Sequence, residues 1–419
     1  MKNRIAEYIT ENGLGAFKKQ CYLHAKAYTH SCILDSCQLN TGVNGGKYEL
    51  MVAFGAINTF TSIIDLQKAT DNGKWLFGVL GYDLKNQFEK LSSSNTPIVE
   101  TEELVFFEPR TLLTIEKNGN INLVGEVLPD SFWQDQEHTV QPQISQDLSP
   151  TKKEEYISKI KEIQELIREG DVYELNYCVP YTHTFESFSP TQFQLDLLQA
   201  SPVPMASYLK TGHIHLCGAS MERYLLKEDN KLISQPIKGT IRKGTSPQED
   251  ELLIAELENS EKDRAENVMI VDLVRNDLNR ICKRGSVQVP EIFGIYSYLQ
   301  VHQMISTVEG ILQDGNTFSD VLSATFPMGS MTGAPKIAAM QHIESLENFK
   351  RGWYSGAVGY IAPNRDFDFN VVIRSVICDM NKKVLNYNAG GAITIDSDPE
   401  SEWKEVKLKT KAITQVLGL

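Results

Sequence analysis

A lysine between a proline and two glycines is the first group in this sequence that could do chemistry. Lys238 lies in the stretch QPIKGTIRKG at 235–244, which also carries Arg242 and Lys243. Glycine lets a backbone approach a ligand closely, and clustered cations lower the cost of the neutral amine that a nucleophilic lysine requires. The stretch therefore indicates either a reactive amine or a solvated basic turn.

Two pairs of carboxylates have a spacing that suits a metal ion. Asp263 and Glu266 lie three residues apart in a segment with the apolar pattern of a helix, and Glu402 and Glu405 lie three apart in a second one. Residues at this spacing project from one side of a helix, and carboxylate oxygens are ligands that Mg²⁺ prefers. Acidic residues also favour helix N-termini because of the helix dipole. The sequence leaves both explanations open.

A loop of small residues offers a site for an anion. The stretch FPMGSMTGAPK at 326–336 leads into an amphipathic segment, and exposed N–H groups at the start of a helix bind anions. Thr332 and Lys336 add polar contacts there. The residues are not in the order of a Walker A phosphate loop, and a tight turn before a helix explains the stretch equally well.

Four further residues are candidates for binding or proton transfer. Arg374 is suited to clamp a carboxylate through two parallel hydrogen bonds, and Tyr360 precedes it in a glycine-rich stretch. Gly390 would let ligand atoms touch the backbone. His302 is either a core histidine with satisfied hydrogen bonds or a proton donor.

The elements that must position these residues can be divided along the chain. Strand-like apolar runs fill 48–127, and a helix is expected to begin with a capping box at Thr151 and to end before Gly170. A stretch rich in Pro, Gln, Ser and Asp separates the two. We therefore predict an N-terminal region at 1–130, a linker at 131–150 and a catalytic region at 151–419.

Composition limits the class of protein. The 419 residues carry 41 Lys and Arg against 54 Asp and Glu, a formal charge of −13. This charge argues against general binding to nucleic acid or to an anionic membrane, because those surfaces would repel the chain. The seven cysteines are scattered and odd in number, and no apolar run is long enough to cross a membrane. We expect a cytoplasmic protein.

Six motifs together resemble one enzyme family, the chorismate-utilising enzymes. They are PIKGTIRKG, DRAENVMIVDLVRNDLNRIC, VHQMISTVEG, FPMGSMTGAPKIAAMQHIESLE, RGWYSGAVGYI and PESEWKE, and they occur in the family's order over about the last two thirds of the chain. The resemblance implies an α+β fold like that of anthranilate synthase component I, with packed antiparallel sheets flanked by helices around a central cleft.

Lys238 indicates a branch of that family. Anthranilate, isochorismate and salicylate producers typically carry alanine at this position, whereas aminodeoxychorismate synthase component I is similar to PIKGT. The resemblance implies that Lys238 forms a covalent intermediate while chorismate and ammonia become 4-amino-4-deoxychorismate, on the way to 4-aminobenzoate and folate. It implies ammonia from a glutamine amidotransferase subunit. The alternatives are anthranilate synthase component I and a non-catalytic regulatory protein on the same fold.

The resemblance also implies roles for the remaining candidates. Mg²⁺ would lie on Glu266 and Glu405, with Asp263 and Glu402 beside them, and would bind the ring carboxylate. The substrate contacts would come from the backbone at Gly239 and Thr240, from Tyr360, Arg374 and Gly390 at the enolpyruvyl carboxylate, and from His302 and Thr332 near the ring.

Two residues depart from the family pattern. Asp263 stands where relatives usually have glutamate, and Glu174 stands where ammonia-using relatives usually have glutamine and water-using relatives have lysine. The N-terminal third resembles the family only through SCILDS at 31–36 and VFFEP at 105–109. In relatives the first of these stretches lies near an amino-acid site, so an effector pocket is an open question there.

Overall fold

The computed structural model describes residues 1–39, 46–134, 140–148, 152–299 and 301–419. The fold is α+β, as expected, and the pairings between its named strands are antiparallel. The helices are α1 (Lys2–Asn12), α2 (Leu14–Ala25), α3 (Ile63–Asp71), α4 (Lys85–Phe88), α5 (Lys153–Glu169), α6 (Pro190–Ala200), α7 (Pro247–Asn259), α8 (Glu261–Asn279), α9 (Phe318–Thr325), α10 (Lys336–Leu346) and α11 (Pro399–Leu417). Short 3₁₀ turns lie at Tyr82–Leu84, Asp130–Trp133 and Gly329–Met331.

The strands are spread over the chain. They are β1 (His30–Asp35), β2 (Tyr48–Phe60), β3 (Leu76–Leu80), β4 (Leu104–Glu116), β5 (Ile121–Gly125), β6 (Gln143–Asp147), β7 (Glu174–Ser187), β8 (Met205–Thr211), β9 (Ile214–Ser220), β10 (Arg223–Glu228), β11 (Lys231–Gln235), β12 (Ile237–Arg242), β13 (Gln288–Ser297), β14 (Val301–Ile311), β15 (Gly333–Ala334), β16 (Ala357–Ile361), β17 (Phe367–Val371), β18 (Ser375–Asp379) and β19 (Val384–Ile393).

Strands from the N-terminal region pair with strands from the rest of the chain. β1 pairs with β2 on one side and with β8 on the other. β3 pairs with β4 and also with β16, where Leu80 lies opposite Ala357. The first 130 residues therefore share backbone hydrogen bonds with the region after 151.

The buried apolar side chains form two clusters, and the elements that carry the candidate residues belong to both. One cluster includes Phe77, Phe107 and Trp353 together with the buried face of α8. The other includes Tyr208 and Tyr387 together with the buried face of α11. The two helices with the carboxylate pairs are thus anchored in different parts of the core.

The predicted helices are present, with caps that the sequence contains. α5 ends at Gly170, which adopts a left-handed φ of 87°. Asp398 accepts a hydrogen bond from the Ser401 backbone at the start of α11, and Ser260 accepts one from Asp263 at the start of α8. The proposed capping residue Thr151 lies outside the described residues.

Part of the predicted linker forms a strand. β6 pairs with β7 in spite of its exposed, polar sequence. Four of its five residues are exposed and the fifth is partly buried, so the sequence has no apolar alternation and its composition is that of a linker. No helix among the described residues is long and apolar enough to cross a membrane.

Candidate functional site

One cleft collects most of the predicted site residues. It encloses about 970 Å³, part of it open to solvent, between α8, α11, β12, β14 and β19. We call it the Lys238 cleft. The predicted residues that line it are Lys238, Gly239, Thr240, Asp263, Glu266, Arg374, Gly390, Glu402 and Glu405.

Lys238 forms a buried ion pair inside this cleft. Its Nζ donates a hydrogen bond of 2.8 Å to Oε1 of Glu174, and only 9% of the lysine side chain and 1% of the glutamate side chain are exposed. Burial lowers the pKa of Lys238, but the charges of Glu174, Glu266 and Glu222 outweigh burial and raise it. The expectation that cations would favour a neutral amine here is therefore wrong, because the charges that raise the pKa of Lys238 are those of acidic residues.

Gly239 lets α8 approach the strand that carries Lys238. Its φ is 85°, and a Cβ added there would lie 3.0 Å from both Asp263 Cβ and Leu257 Cδ1. β12 pairs with β14, with a shift of register between Ile237 and Thr240. This irregular turn of backbone brings Lys238 and the acidic face of α8 to the same cleft.

The two predicted carboxylate pairs line one cleft, but a lysine lies between them. Lys262 Nζ is 2.9 Å from Glu402 Oε1 and 3.7 Å from Glu266 Oε1. Glu405 pairs with Lys409 at 2.7 Å, and the charge of Lys409 lowers the pKa of Glu405 to about 2. Helix spacing predicted that the members of each pair share one side of a helix, and the structure brings both pairs to one cleft, as the resemblance implied.

The four carboxylates of the cleft are the groups that could bind a divalent cation. Among the described residues, no group of three His, Cys, Asp or Glu side chains is already close enough to hold a metal ion. The cleft nevertheless carries four carboxylates of the oxygen type that Mg²⁺ prefers. Glu266 Oε1 is buried and accepts no hydrogen bond in the described structure. The residues present fit Mg²⁺ once Lys262 Nζ moves.

Arg374 and Lys409 supply positive charge to the cleft. Arg374 lies between β17 and β18 rather than on a strand, with a φ of 51°. Its Nη1 donates a hydrogen bond of 3.1 Å to the Lys409 carbonyl oxygen, and Lys409 Nζ donates one of 2.7 Å to the Gly390 carbonyl oxygen. Two cations beside a glycine backbone form a suitable contact for a carboxylate.

Glu222 is a cleft residue that sequence reasoning missed. It lies between β9 and β10 and accepts a hydrogen bond of 2.6 Å from Ser330 Oγ. Burial raises the pKa of Glu222 to about 7, against the opposing effects of Ser330 and Lys238. A charged residue inside the apolar run IHLCGASMERYLL was the signal available in the sequence. The group can act as an acid near neutral pH.

His302, Thr332 and Lys336 do not line the cleft. His302 is fully buried, with Nδ1 2.7 Å from Ser297 Oγ and Nε2 2.8 Å from Asp250 Oδ1. Its neighbour on β14, Gln303, lines the cleft instead, because successive side chains of a strand point to opposite faces. His302 therefore has the satisfied contacts of a core histidine.

The small-residue loop likewise uses its polar groups internally. The Thr332 hydroxyl donates to the carbonyl oxygens of Met328 and Gly329 at 3.3 and 3.2 Å. Lys336 Nζ lies 2.5 Å from Asp277 Oδ2, on α8. Both residues hold the loop against its neighbours, and neither lines the Lys238 cleft.

Tyr360 lies in a different cavity. This second cavity, of about 490 Å³, is also lined by Arg223, Asp368 and the stretch Leu34, Asp35 and Ser36. The Tyr360 ring packs 5.8 Å from that of Tyr48. The backbone turns at Ser355, with a φ of 62°, so that Tyr354 lines the Lys238 cleft in its place. Tyr360, expected beside Arg374 and Gly390 at the enolpyruvyl carboxylate, therefore does not line the cleft that contains those two residues.

Comparisons with known proteins agree on one family. The family model described as "chorismate binding enzyme" matches residues 19–415. The chain is 42% identical over 268 residues, 63% of its length, to "Probable aminodeoxychorismate synthase, chloroplastic" of Oryza sativa subsp. japonica, and spans only 30% of that protein. It is 34% identical to "Aminodeoxychorismate synthase component 1" of Escherichia coli (strain K12), covering 81% of the chain and 76% of the relative.

The comparisons also include an anthranilate synthase of similar identity. "Anthranilate synthase component 1" of Saccharolobus solfataricus is 34% identical over 357 residues, covering 82% of the chain and 80% of the relative. Among solved structures, anthranilate synthase component I from Streptococcus pneumoniae TIGR4 superposes with a TM-score of 0.76 and 23% identity, covering 88% of this chain and 92% of that one. This structural likeness concerns the fold.

Proposed function

Because the chain belongs to the family of chorismate binding enzymes, we propose that it converts chorismate and ammonia to 4-amino-4-deoxychorismate. The observation that carries the proposal is the position of Lys238, buried in the cleft beside the four carboxylates. Most producers of anthranilate, isochorismate or salicylate have alanine there. The identity to proteins named aminodeoxychorismate synthase supports the same choice.

The chemistry divides one difficult displacement into two easier ones. The Lys238 amine bonds to C2 of the ring as the C4 hydroxyl leaves, and Glu222 supplies the proton with which that hydroxyl departs as water. Ammonia then bonds to C4 and the bond between C2 and Lys238 breaks. Glu222 suits this role because the raised pKa leaves part of its population protonated near pH 7.

The remaining cleft residues bind and orient the substrate. Arg374 and Lys409 would face one carboxylate, with the backbone at Gly239 and Thr240 and the side chain of Tyr354 lining the same cleft. Glu266 and Glu405, with Glu402 and Asp263, would hold Mg²⁺. When bound, the ion would neutralise the second carboxylate of chorismate.

Ammonia would come from a glutamine amidotransferase subunit, and the product would serve 4-aminobenzoate and folate synthesis. The name "component 1" of the Escherichia coli relative supports a separate partner. Free ammonium should replace that partner in a purified system.

Anthranilate synthase is the second candidate, favoured by the 34% identity to the Saccharolobus solfataricus protein. A non-catalytic regulatory role is a third, which the cluster of acidic and basic groups around Lys238 opposes. All three are separated by incubating the purified chain with chorismate, Mg²⁺ and ammonium. Product that becomes 4-aminobenzoate only after a lyase is added supports the proposal. Fluorescent anthranilate without a lyase, or unchanged chorismate, refutes it.

The role of Lys238 has its own test. We expect Lys238→Ala to abolish formation of aminodeoxychorismate or to divert the reaction, because the nucleophile is gone. The measurement is the product profile by chromatography. Unchanged turnover would remove Lys238 from the mechanism while leaving the substrate assignment intact.

A further inference from the structure

Glu174 contacts Lys238 from outside the space that a substrate would occupy. The two side chains meet at 2.8 Å, yet Glu174 is not among the described residues that line the Lys238 cleft. With 1% of its side chain exposed, the carboxylate is sealed behind the lysine. Glu174 can therefore act on the lysine amine without touching chorismate.

The backbone fixes this carboxylate firmly. Glu174 begins β7 opposite Ala334 of β15, and the amide of Tyr173 donates a hydrogen bond of 2.7 Å to the Ala334 carbonyl oxygen. A Cβ added at Gly333 would lie 2.1 Å from the Glu174 carbonyl oxygen, so the close approach of these strands requires glycine. The carboxylate position thus depends on main-chain pairing and not on a mobile loop.

One oxygen of the carboxylate has room for a proton. Oε1 accepts from Lys238, whereas Oε2 is buried and has no hydrogen-bond partner among the described residues. Transfer of a proton from the lysine to the carboxylate turns two buried ions into two neutral groups. Burial penalises ions far more than neutral polar groups and so favours this transfer, whereas the attraction between the two charges opposes it.

We propose that Glu174 is the base that takes a proton from Lys238 and frees its amine for attack on the ring. This inference rests on the proposed function, because it needs Lys238 as the nucleophile. It goes beyond that function by assigning a step to a residue that lies outside the cleft.

The protons balance over the cycle. Glu174 takes one proton from the lysine ammonium, and the neutral amine bonds to C2 while the C4 hydroxyl takes a proton from Glu222 and leaves as water. Ammonia bonds to C4, and the electron pair of the C2–N bond returns to Lys238 as a neutral amine. Glu174 then gives its proton back to the lysine. Glu222 regains a proton from the product ammonium group.

The test is Glu174→Gln, measured for aminodeoxychorismate formation from chorismate and ammonium. Glutamine is the residue that ammonia-using relatives usually have at this position, yet in this chain we expect kcat to fall by about 100-fold or more, the usual contribution of a general base. The chorismate KM should change by less than about twofold, because Glu174 does not line the cleft. If Glu174 only positions Lys238 and takes no proton from it, the expected result differs. The glutamine oxygen still accepts the hydrogen bond, and removal of the negative charge favours the neutral amine, so kcat would stay the same or rise.

Asp277→Asn is a matched control. Asp277 forms a buried ion pair with Lys336 outside the cleft, with side-chain exposures of 13% for the lysine and 10% for the aspartate. Loss of that pair should lower the melting temperature and leave kcat unchanged. An equal loss of kcat in both variants would show a general effect of losing a buried ion pair and would overturn the proposal.

Glu174→Asp supplies the conservative variant. It keeps a carboxylate that is one methylene shorter, so its kcat should lie between those of the wild type and Glu174→Gln. If Glu174→Gln does not fold, Glu174→Met decides, because it keeps the length of the side chain without a base, and wild-type kcat in it overturns the proposal. The wild-type product, measured in the same assay, shows separately whether the proposed function itself holds.

Discussion

At the level of single residues, Lys238 is surrounded by acids although its sequence neighbours are basic. Arg242 and Lys243 pair with Glu249 and Asp250 of α7, at 2.5 and 3.2 Å. Lys238 lies on the same short strand but faces Glu174 in the cleft. The sequence could identify the lysine as unusual, but its charge environment depends on residues 64 positions away.

The proposed acid Glu222 leads to a prediction about pH. Because burial raises the pKa of Glu222 to about 7, its protonated form predominates below that pH and is lost above it. The rate of aminodeoxychorismate formation should therefore fall as pH rises from about 7 to about 9, the range in which such an acid loses its proton. Steady-state rates across this range provide the measurement.

The variant Glu222→Gln tests whether Glu222 causes this alkaline limb, the fall in rate above about pH 7. The variant should lose about 100-fold in kcat, as expected for removal of a general acid, and its residual rate should no longer fall with pH in this range. A variant that keeps the same alkaline limb would show that another group titrates there. Loss of substrate affinity without loss of kcat would assign Glu222 to binding only.

At the level of helices and strands, spacing predicted which carboxylates share a helix face. Residues three apart on α8 and α11 reach one cleft because a helix fixes which side chains share a face. Strand residues were harder to assign. The choice between His302 and Gln303 depends on which face of β14 is turned inward, and the choice between Tyr354 and Tyr360 depends on a turn at Ser355. The sequence contains no local signal for either.

The lysine between the two acidic helices predicts an effect on metal binding. Lys262 contributes a positive charge within 4 Å of two carboxylates that are proposed to bind Mg²⁺. Removing that charge in Lys262→Met should strengthen Mg²⁺ binding by about fivefold, because two charges at this distance interact with about 1 kcal/mol in a water-like medium. Isothermal titration calorimetry without substrate is the measurement.

The variant Lys159→Met, at a partly exposed position, is the control for a general change of charge. Lys159 pairs with Glu162 on α5 and does not line the cleft. The variant Lys159→Met should leave the affinity for Mg²⁺ unchanged. Weaker binding by Lys262→Met would mean that the lysine supports the metal site and does not compete with it.

The close approach of α8 to β12 predicts a stability difference between two glycine variants. Gly239 and Gly285 both have positive φ, 85° and 77°, but only Gly239 has atoms within 4 Å of an added Cβ. Gly285→Ala should lower the free energy of unfolding by about 1–2 kcal/mol, because alanine is strained in the left-handed backbone conformation. Gly239→Ala should lower it by about 1–3 kcal/mol more, because the added Cβ crowds its neighbours. Urea unfolding of both variants tests this, and equal losses would contradict it.

At the level of the whole molecule, the α+β class and the family could be predicted from the motifs, whereas the sharing of strands could not. β3 lies between β4 and β16, and β1 lies between β2 and β8. These pairings join residues far apart in the chain, and no periodicity within a segment specifies its distant partner. The change in composition near 131–150 therefore marked a change in sequence character and not a break in the sheet.

This sharing predicts the behaviour of a truncated chain. A polypeptide of residues 151–419 would keep β9 and β17 beside β8 and β16 but would lack their other partners, β1 and β3, and would expose buried residues such as Leu209 and Val358. We expect it to show no cooperative thermal unfolding, whereas the full chain should unfold cooperatively. Circular dichroism of both on heating is the measurement, and a cooperative transition in the truncated chain would show that this region folds independently.

The pairing of β3 with β16 also has a consequence for synthesis on the ribosome. Ala357 is made 277 residues after its partner Leu80. At about 5–20 residues per second, roughly 15 to 55 s pass between the synthesis of β3 and that of β16, the strand that pairs with its edge. During that interval the nascent chain presents Phe77 and Val79 on an unpaired edge, so holding this segment apart from other nascent chains is a requirement for a good yield of the folded enzyme.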